Sequence, residues 1–374
     1  MSSISEEPLI IHTEDYKTEL NPKWNLIPIL PKVAMVWGVT GQDGSYLSEF
    51  LLKKGYTVIG VKRRTSYDNT ERLKEVKNNS NFTLVEGDIC DSGNVFSLIK
   101  KYQPTECYNL AAQSHVHTSF EQPSYTFQVN TLGELNILEG IRQFSPHTKH
   151  YFAGTSEEFG NNYSVDQFGK KYQDEDCEFD PSSPYAVSKV AAHNLVNLYR
   201  DAYNLHANVG ILFNHGSPRR GEEFVTRKIS KYVAQLNCWM KKYGQSKSVM
   251  KCLKEVGHLH LGNLDACRDW SHAKDMVRGM WLMLQQEKPR DYVLASERTH
   301  SVRQFLDEAF NYIDVNWKPF VKIDDKFKRP KDVEYLCGRA TRAKEELDWK
   351  PQICFSFLVK NMVQADIDLL GDKR

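Results

Sequence analysis

Tyr185 and Lys189 stand four residues apart in SSPYAVSK, where Ser183 can cap a helix and Pro184 suits its first turn. That spacing puts both side chains on one helical face. A phenol with an ordinary pKa near ~10 serves as a base at neutral pH only if nearby positive charge stabilises the phenolate, and Lys189 with an oxidised nicotinamide would supply it. Y-x-x-x-K strings are common, so the pattern gains weight only from what surrounds it. Upstream, HYFAGTS has the character of a buried strand and delivers Thr155, Ser156 and then Glu157. Thr155 can hydrogen-bond a reacting hydroxyl. Glu157 offers a second base, which a simple alcohol dehydrogenase does not require; a helix-cap or surface carboxylate is the plainer alternative.

A third string works through its backbone. Strand-like VAMVWG runs into Gly38, Gly41 and Gly44 of GVTGQDGSYL, a G-x-x-G-x-x-G spacing that opens a helix. Glycine lets the turn close tightly and lets main chain approach a pyrophosphate, while the helix N-terminus supplies N–H donors and the positive end of its dipole. The next strand, TVIGVKRRTS, ends where the adenosine ribose of a dinucleotide belongs. A carboxylate there selects NAD, whereas this chain has Arg63, Arg64, Thr65 and Ser66. Guanidinium groups suit a 2′-phosphate, so NADP is the expected cofactor, against the alternative of a solvated basic turn. Asp88, closing FTLVEGD, is placed either to reach the adenine edge or to cap a helix.

Alternating strands and helices must hold these pieces. VAMVWGV, a helix from about Ser45, TVIGVKR, FTLVEGD, a helix around Val95 to Lys101, ECYNLAA, a helix from about Thr131 to Phe144, HYFAGTS, the helix at Pro184 and NVGILF follow in order. That alternation predicts an α/β fold with a doubly wound parallel sheet, because parallel strands need long crossovers and bury both faces. Past Asn214 the chain turns basic and irregular through SPRRGEEFVTRKISKYV and a Lys-rich stretch over 241–254, where a smaller, discontinuous C-terminal substrate domain is expected. RDWSHAKDMVRGMWLML reads as a helix, and YVLAS as a buried strand. The expected division is a polar arm over 1–30, a dinucleotide-binding domain over 31–214 to which 268–298 returns, and a substrate domain over 215–267 and 299–374.

Composition narrows the classes. In 374 residues, 40% are hydrophobic and 26% charged, a globular balance long enough for two domains. Lys+Arg of 49 against Asp+Glu of 48 leaves a net charge of +1, which provides no global field for nucleic acid or an anionic membrane. The eight cysteines are scattered, without a C-x-x-C pair, and fit reduced thiols in a cytoplasmic protein. His115/His117 and His258/His260 form H-x-H pairs with no third ligand at a usual spacing, so no metal site is expected. The opening MSSISEEPLI is acidic and broken by Pro8, unlike a signal peptide, and Ser2 stands where myristoylation needs glycine.

With NLAAQSHV, SFEQPSYT, TSEEFG, FNHGSPRRGEEFVTRKI, LGNLDACRDWSHAKD and RPKDVEYL added, the chain from about Lys32 onward resembles the GDP-mannose 4,6-dehydratases, a family of extended short-chain dehydrogenase/reductases. The resemblance implies a catalytic set of Thr155, Glu157, Tyr185 and Lys189. For NADP it implies Gly38, Val39, Thr40, Gly41, Gln42, Asp43 and Gly44 of the turn, and Arg63 to Ser66, Asp88 and Ile89 near the adenosine. It adds Leu110, Ala111, Ala112, Gln113 and Ser114, then Tyr125, His215 and Arg220. For the GDP-sugar it implies Asn214, Lys228, Arg268, Arg329 and Glu334; read alone, the cations among these are as well taken for solvated surface charges.

The implied activity is a redox-neutral lyase reaction giving GDP-4-keto-6-deoxy-mannose, the first step toward GDP-fucose, by a homodimer or homotetramer. A dehydratase of GDP-manno-heptose or UDP-glucose stays open, as does a 4-epimerase, which needs Tyr185 but no base at Glu157. A non-catalytic NADP-sensing scaffold would be expected to lack Tyr185 or Lys189. Loop 64–72, RTSYDNTER, is either an ordinary surface loop or, as the resemblance implies, one that reaches a neighbouring subunit. The sequence departs from the family in Glu158, where Leu or Met is usual, in longer segments over 160–180 and 238–256, and in its N-terminal arm.

Overall fold

A computed structural model describes residues 32–244, 248–327, 331, 333 and 335–371. The arm expected over 1–30 lies outside the described residues. The chain starts with β1 (Val33–Trp37), α1 (Gln42–Lys53), β2 (Thr57–Lys62), β3 (Phe82–Glu86), α2 (Ser92–Tyr102) and β4 (Glu106–Asn109). Then come α3 (Val116–Glu121), α4 (Pro123–Phe127), a π turn over Gln128–Leu132, α5 (Gly133–Phe144) and β5 (Lys149–Thr155). A 3₁₀ turn (Ser156–Phe159), β6 (Ser164–Val165), β7 (Lys171–Tyr172), α6 (Pro184–Tyr203) and β8 (Ala207–Leu212) complete the first half. The rest comprises β9 (His215–Gly216), α7 (Val225–Tyr243), α8 (Val249–Val256), β10 (Leu259–Leu261), β11 (Cys267–Asp269), β12 (Ser271–His272) and α9 (Ala273–Gln285). It closes with β13 (Tyr292–Leu294), β14 (Thr299–Ser301), α10 (Val302–Asn311), β15 (Val321–Ile323), α11 (Thr341–Leu347) and α12 (Phe355–Gly371).

Seven strands form one sheet in the order β13-β8-β5-β4-β1-β2-β3, and every neighbouring pair is parallel. Strand order reverses between β1 and β4, so the crevice at their carboxyl ends is the topological switch point. One face packs on Val95, Ile137, Ile141, Ala192 and Val196 from α2, α5 and α6. The other packs on Leu47, Leu51, Met276, Met280 and Leu347 from α1, α9 and α11. Covering both faces is why β1 is apolar along its whole length and every residue of β8, Asn208 included, is buried.

A third cluster lies apart from the sheet and joins Ile229, Val233, Leu236, Phe305, Phe310, Leu358 and Met362. Within it α7 and α12 are tied by a buried ion pair: Arg227 Nε donates to Asp366 Oδ1 at 2.9 Å, and Ser230 Oγ donates to Oδ2 at 2.6 Å.

Three local expectations change. The basic run after Asn214 is not irregular: Ile229, Val233 and Leu236 recur at helical spacing and are buried, Arg227 turns in to Asp366, and the lysines keep some exposure, giving the 19-residue α7. In RDWSHAKDMVRGMWLML the helix starts only at Ala273, capped by His272, because Arg268 and Asp269 pair with β14 and Ser271 and His272 pair with β9. The helix expected from Thr131 begins eight residues earlier, where Pro123 takes the first turn of α4 and the π turn links it to α5. YVLAS does return to the sheet, as β13 beside β8. No helix among the described residues is long and apolar enough to cross a membrane.

Candidate functional site

The carboxyl ends of the sheet strands open onto a cleft of 1010 Å³. The β1–α1 turn forms one wall. Gly38 sits at φ +76°, and a Cβ there would meet the Ala111 nitrogen at 2.8 Å; at Gly44 it would meet the Gly38 carbonyl oxygen at 2.5 Å. The turn's own packing thus requires both glycines. Gly41 is the N-cap of α1 and brings no side chain to the first-turn N–H groups. Thr40, Gln42 and Asp43 continue this wall, while Leu110, Ala111, Ala112 and Ser114 line the cleft beyond β4.

The segment after β8 is stapled to this turn. His215 Nε2 lies 2.8 Å from Asp43 Oδ2, and its Nδ1 lies 2.8 Å from the Phe213 carbonyl oxygen. The ring therefore bridges the Asp43 carboxylate and the main chain after β8. Burial pushes the Asp43 carboxyl up, but His215, Gln42 and Arg220 outweigh it and hold the group below its ordinary range. Ser217 Oγ donates to Gln42 Oε1 at 2.7 Å, and Arg219 donates to Ser45 Oγ at 3.0 Å and pairs with Glu49. The resemblance implies a role for Arg220 but passes over Ser217 and Arg219, although both lie in the same GSPRR string. Arg72, at the end of loop 64–72, donates to the Arg219 carbonyl at 2.8 Å and the Thr40 carbonyl at 3.3 Å. Its guanidinium thus ties loop 64–72 to the β1–α1 turn and the segment after β8 within this chain.

At the far end of β2, Arg63 faces the cleft and donates to Tyr125 Oη at 2.6 Å, with Thr65, Asp88 and Ile89 beside them. The cap of α2 is Asp91, which accepts from Asn94 N at 3.1 Å, so the capping alternative for Asp88 falls away. Alternate positions face the cleft here: Arg64 and Ser66 are exposed and are not among its lining residues. Val39 and Gln113 also stand back. The Val39 side chain fills the core against β2, and Gln113 is engaged with the His115 carbonyl and Thr126 Oγ1.

Thr155, Glu157, Tyr185 and Lys189 meet on the opposite wall. Ser183 caps α6 by accepting from Ala186 N at 3.1 Å, and Pro184 takes the first turn, which places Tyr185 and Lys189 on the inward face. After β5, Thr155 starts the 3₁₀ turn and its Oγ1 accepts from Glu157 N at 3.3 Å, while Glu158 Oε1 accepts from Thr155 N at 2.9 Å. Glu158 therefore completes the capping box, and Glu157 is left to line the cleft, 6% exposed. It is neither a cap nor a surface carboxylate.

Burial pushes the Tyr185 phenol well up; a Thr155 hydrogen bond and the Arg220 charge draw it back, and Glu157 and Glu158 drive it higher. Burial pulls Lys189 down to about 8 against the opposing charges of Glu158 and Glu134. Its ammonium donates to the Ala153 carbonyl at 2.8 Å.

Asn214, Lys228 and Arg268 line the remaining region together with His260, Asn263 and Lys326. The Asn214 Oδ1 is buried without a hydrogen-bond partner. Arg268 is buried on β11 and donates to the Cys267 carbonyl at 2.9 Å, so it is no solvated surface charge. Arg329 and Glu334 lie outside the described residues. His260 was weighed only as a metal ligand and Asn263 only as part of the LGNLDACRDWSHAKD string, while Lys326 lies in no motif.

The Asp43 pair generates a pH prediction. A carboxyl held below its unfolded value of ~3.9 stabilises the fold above that pH and ceases to as pH falls through the lowered folded value. Asp43→Asn is therefore expected to be less stable than the native chain at pH 6. The gap in urea midpoint should narrow steadily toward pH 3; a gap independent of pH over that range would contradict the assignment.

A sequence model described as GDP-mannose 4,6 dehydratase matches residues 35–362. GDP-mannose 4,6 dehydratase 1 of Arabidopsis thaliana is 47% identical over 348 residues, covering 90% of this chain and 90% of that protein. The GDP-mannose 4,6 dehydratase of Homo sapiens is 43% identical over 363 residues, covering 90% and 92%. Among solved structures, a dTDP-glucose 4,6-dehydratase of Streptomyces venezuelae, solved with NAD bound, superposes with a TM-score of 0.77 at 21% identity over 91% of this chain and 98% of that one. That last likeness speaks to the doubly wound fold alone. The match in sequence, which runs through the glycine turn, the Tyr185–Lys189 helix and the cationic segments alike, shows that the chain belongs to the GDP-mannose 4,6-dehydratase family.

Proposed function

We propose that this chain converts GDP-mannose to GDP-4-keto-6-deoxy-mannose and water with NADP held in the cleft. The observation that carries this reading is the buried Glu157 beside Tyr185 and Lys189, a second base that C4 oxidation alone does not need. An epimerase would leave it without work. Relatives bearing the GDP-mannose name at 43–47% identity favour that sugar over GDP-manno-heptose or UDP-glucose.

The residues present fit a dinucleotide. The glycine turn has no Cβ to obstruct close approach, the α1 N-terminus lacks a capping side chain, and Arg63 faces the cleft at the end of β2. Bound there, the nicotinamide supplies the hydride acceptor for the sugar C4 and the donor for C6. As it stands Tyr185 is a poor base, and the Lys189 ammonium on the same face of α6 makes its phenolate accessible. Tyr185 then takes the C4 hydroxyl proton while Thr155 orients that hydroxyl. Once C4 is a ketone the C5 hydrogen is acidic; Glu157 takes that proton and passes it to the C6 hydroxyl, which leaves as water. The orphaned Asn214 Oδ1 and the cations Lys228 and Arg268 suit the nucleoside diphosphate end, with Arg329 and Glu334 assigned to it by resemblance. In this reading the sheet and its two helical layers hold the dinucleotide, and the cluster around α7, α10 and α12 carries the sugar nucleotide.

With GDP-[4-²H]mannose the deuterium is expected at C6 of the product; its appearance in free NADPH would mean net dehydrogenation instead. Tyr185→Phe and Lys189→Ala should abolish C4 oxidation, whereas Glu157→Gln should accumulate the 4-keto sugar without losing water, as read by mass spectrometry.

Arg63→Ala removes a charge-assisted hydrogen bond worth ~1.5 to 3 kcal/mol, so NADP should weaken by roughly tenfold to a hundredfold and NAD far less. Equal weakening in titration calorimetry would assign Arg63 elsewhere.

We also propose a homodimer or homotetramer with loop 64–72 at the contact, since Arg64 and Tyr67 are exposed there while Arg72 is engaged within the chain. Arg64→Glu should lower the mass found by light scattering; a native monomer, or a variant of undiminished mass, would remove this assignment.

A further inference from the structure

Behind the cleft, away from the face described above, lies a set of charged groups that the proposed chemistry does not use. Glu158 is fully buried and His193 is 3% exposed. Glu158 Oε2 lies 2.8 Å from His193 Nδ1, and Asp291 Oδ2 lies 3.3 Å from His193 Nε2. Each ring nitrogen faces a carboxylate, so each carries a proton and the ring is an imidazolium. The Phe179 ring packs on it with centroids 5.0 Å apart, and Asp291 is held in turn by Val209 N at 2.8 Å and by Arg200. Burial alone would strip the proton from His193, yet the two carboxylates outweigh burial and hold it to about 9.

Helical spacing connects this set to the cleft. Tyr185, Lys189 and His193 fall at i, i+4 and i+8 of α6, so one stripe of that helix runs from the phenol through the ammonium to the imidazolium. Glu158 touches both ends of the arrangement. One oxygen fixes the main chain of Thr155 at 2.9 Å, and the other holds His193. Stability does not account for it, because a buried ion pair is at best neutral against apolar residues of similar volume.

We propose that Glu158 and His193 are positioning residues: a buried carboxylate–imidazolium couple, closed behind by Asp291, that clamps the Thr155 main chain at the sheet edge and backs the Tyr185–Lys189 stripe of α6. This rests on the assignment of Tyr185 and Lys189 as the proton-transfer pair. Around Lys189 the facing groups are Glu158 from the 3₁₀ turn, Glu134 from α5 with its partner His150 on β5, and Tyr185 and His193 on its own helix. Around His193 they are Glu158, Asp291 and Arg200, with Glu175, Arg290 and Arg342 at the mouth of the adjoining hollow.

The test uses the full chain with two variants. Glu158→Gln keeps the shape and an acceptor for Thr155 N, but removes the charge and sets an amide donor against His193 Nδ1; Glu158→Leu combined with His193→Leu replaces the couple by apolar volume should the first variant fail to fold. In histidine-labelled native protein the His193 carbon resonances should stay those of an imidazolium to about pH 9, and in Glu158→Gln the transition should fall by about one unit or more. With GDP-mannose as substrate, loss of the Glu158 charge should move the alkaline limb of the kcat profile toward acid by about one pH unit, with KM little changed. A native His193 that titrates near ~6.5 would overturn the couple. So would an unshifted kcat profile in both variants, because a purely structural role moves stability and leaves the profile in place. Absence of turnover by the native chain would strike the functional assignment instead, and the substrate-free resonance would still decide whether the couple exists.

Discussion

Parallel pairing is the constraint from which the site follows. Strands that run the same way end on the same edge, and helices cover both faces of this sheet, so main chain is left open to a ligand mainly along the carboxyl edge. The reversal of order between β1 and β4 splits the crossovers to either side and opens the crevice that the glycine turn borders. Each chemical group then needs only a short path from a strand end: Gly38 one residue beyond β1, Arg63 one beyond β2, Thr155 at the end of β5, Asn214 two beyond β8. Tyr185 and Lys189 arrive differently, on a helix whose cap and first-turn proline set its angle of entry.

Where a local rule and the tertiary demand agreed, the sequence could be read directly. The glycine turn, the Ser183 cap and the pairing of Tyr185 with Lys189 are such cases, since spacing and residue type alone determine the geometry. Where two neighbours compete for one role, spacing was silent. Glu157 and Glu158 are adjacent carboxylates after the same strand, and only the 3₁₀ turn shows that Glu158 takes the cap and leaves Glu157 for the cleft. Asp88 and Asp91 present the same ambiguity, resolved for Asp91. Arg63 and Arg64 were read as equivalent, although consecutive residues near a strand end turn to opposite sides.

The C-terminal half was harder because its order is made by long-range pairing. β11 and β12 have three and two residues, and each exists through a partner distant in the chain, β14 in one case and β9 in the other. Asp269 shows what that pairing protects. Its Oδ1 accepts from Ser296 N at 2.8 Å and from Ser296 Oγ at 2.6 Å, and its Oδ2 accepts from Gly338 N at 3.2 Å, joining three separate segments at one buried carboxylate. Burial pushes its carboxyl up to about 6 even so. No local periodicity announces a residue whose partners lie 27 and 69 positions away.

Charge buried on both sides of α6 shows the same logic at the site itself. On the α5 side Glu134 lies 2.7 Å from His150 Nε2 and accepts from Asn109 Nδ2 at 2.7 Å; on the other side Glu158 is paired with His193. Lys189 stands between the two glutamates and is held up by both against the burial that pulls it down to about 8. Each glutamate is in turn neutralised by a histidine whose own proton depends on it. A lysine facing two unpaired carboxylates would stay protonated far above neutrality, and one facing none would lose its proton well below it. Burial and the two glutamates set the balance between those limits, so the charge of Lys189 belongs to the packing of α6 between its neighbours rather than to any one contact.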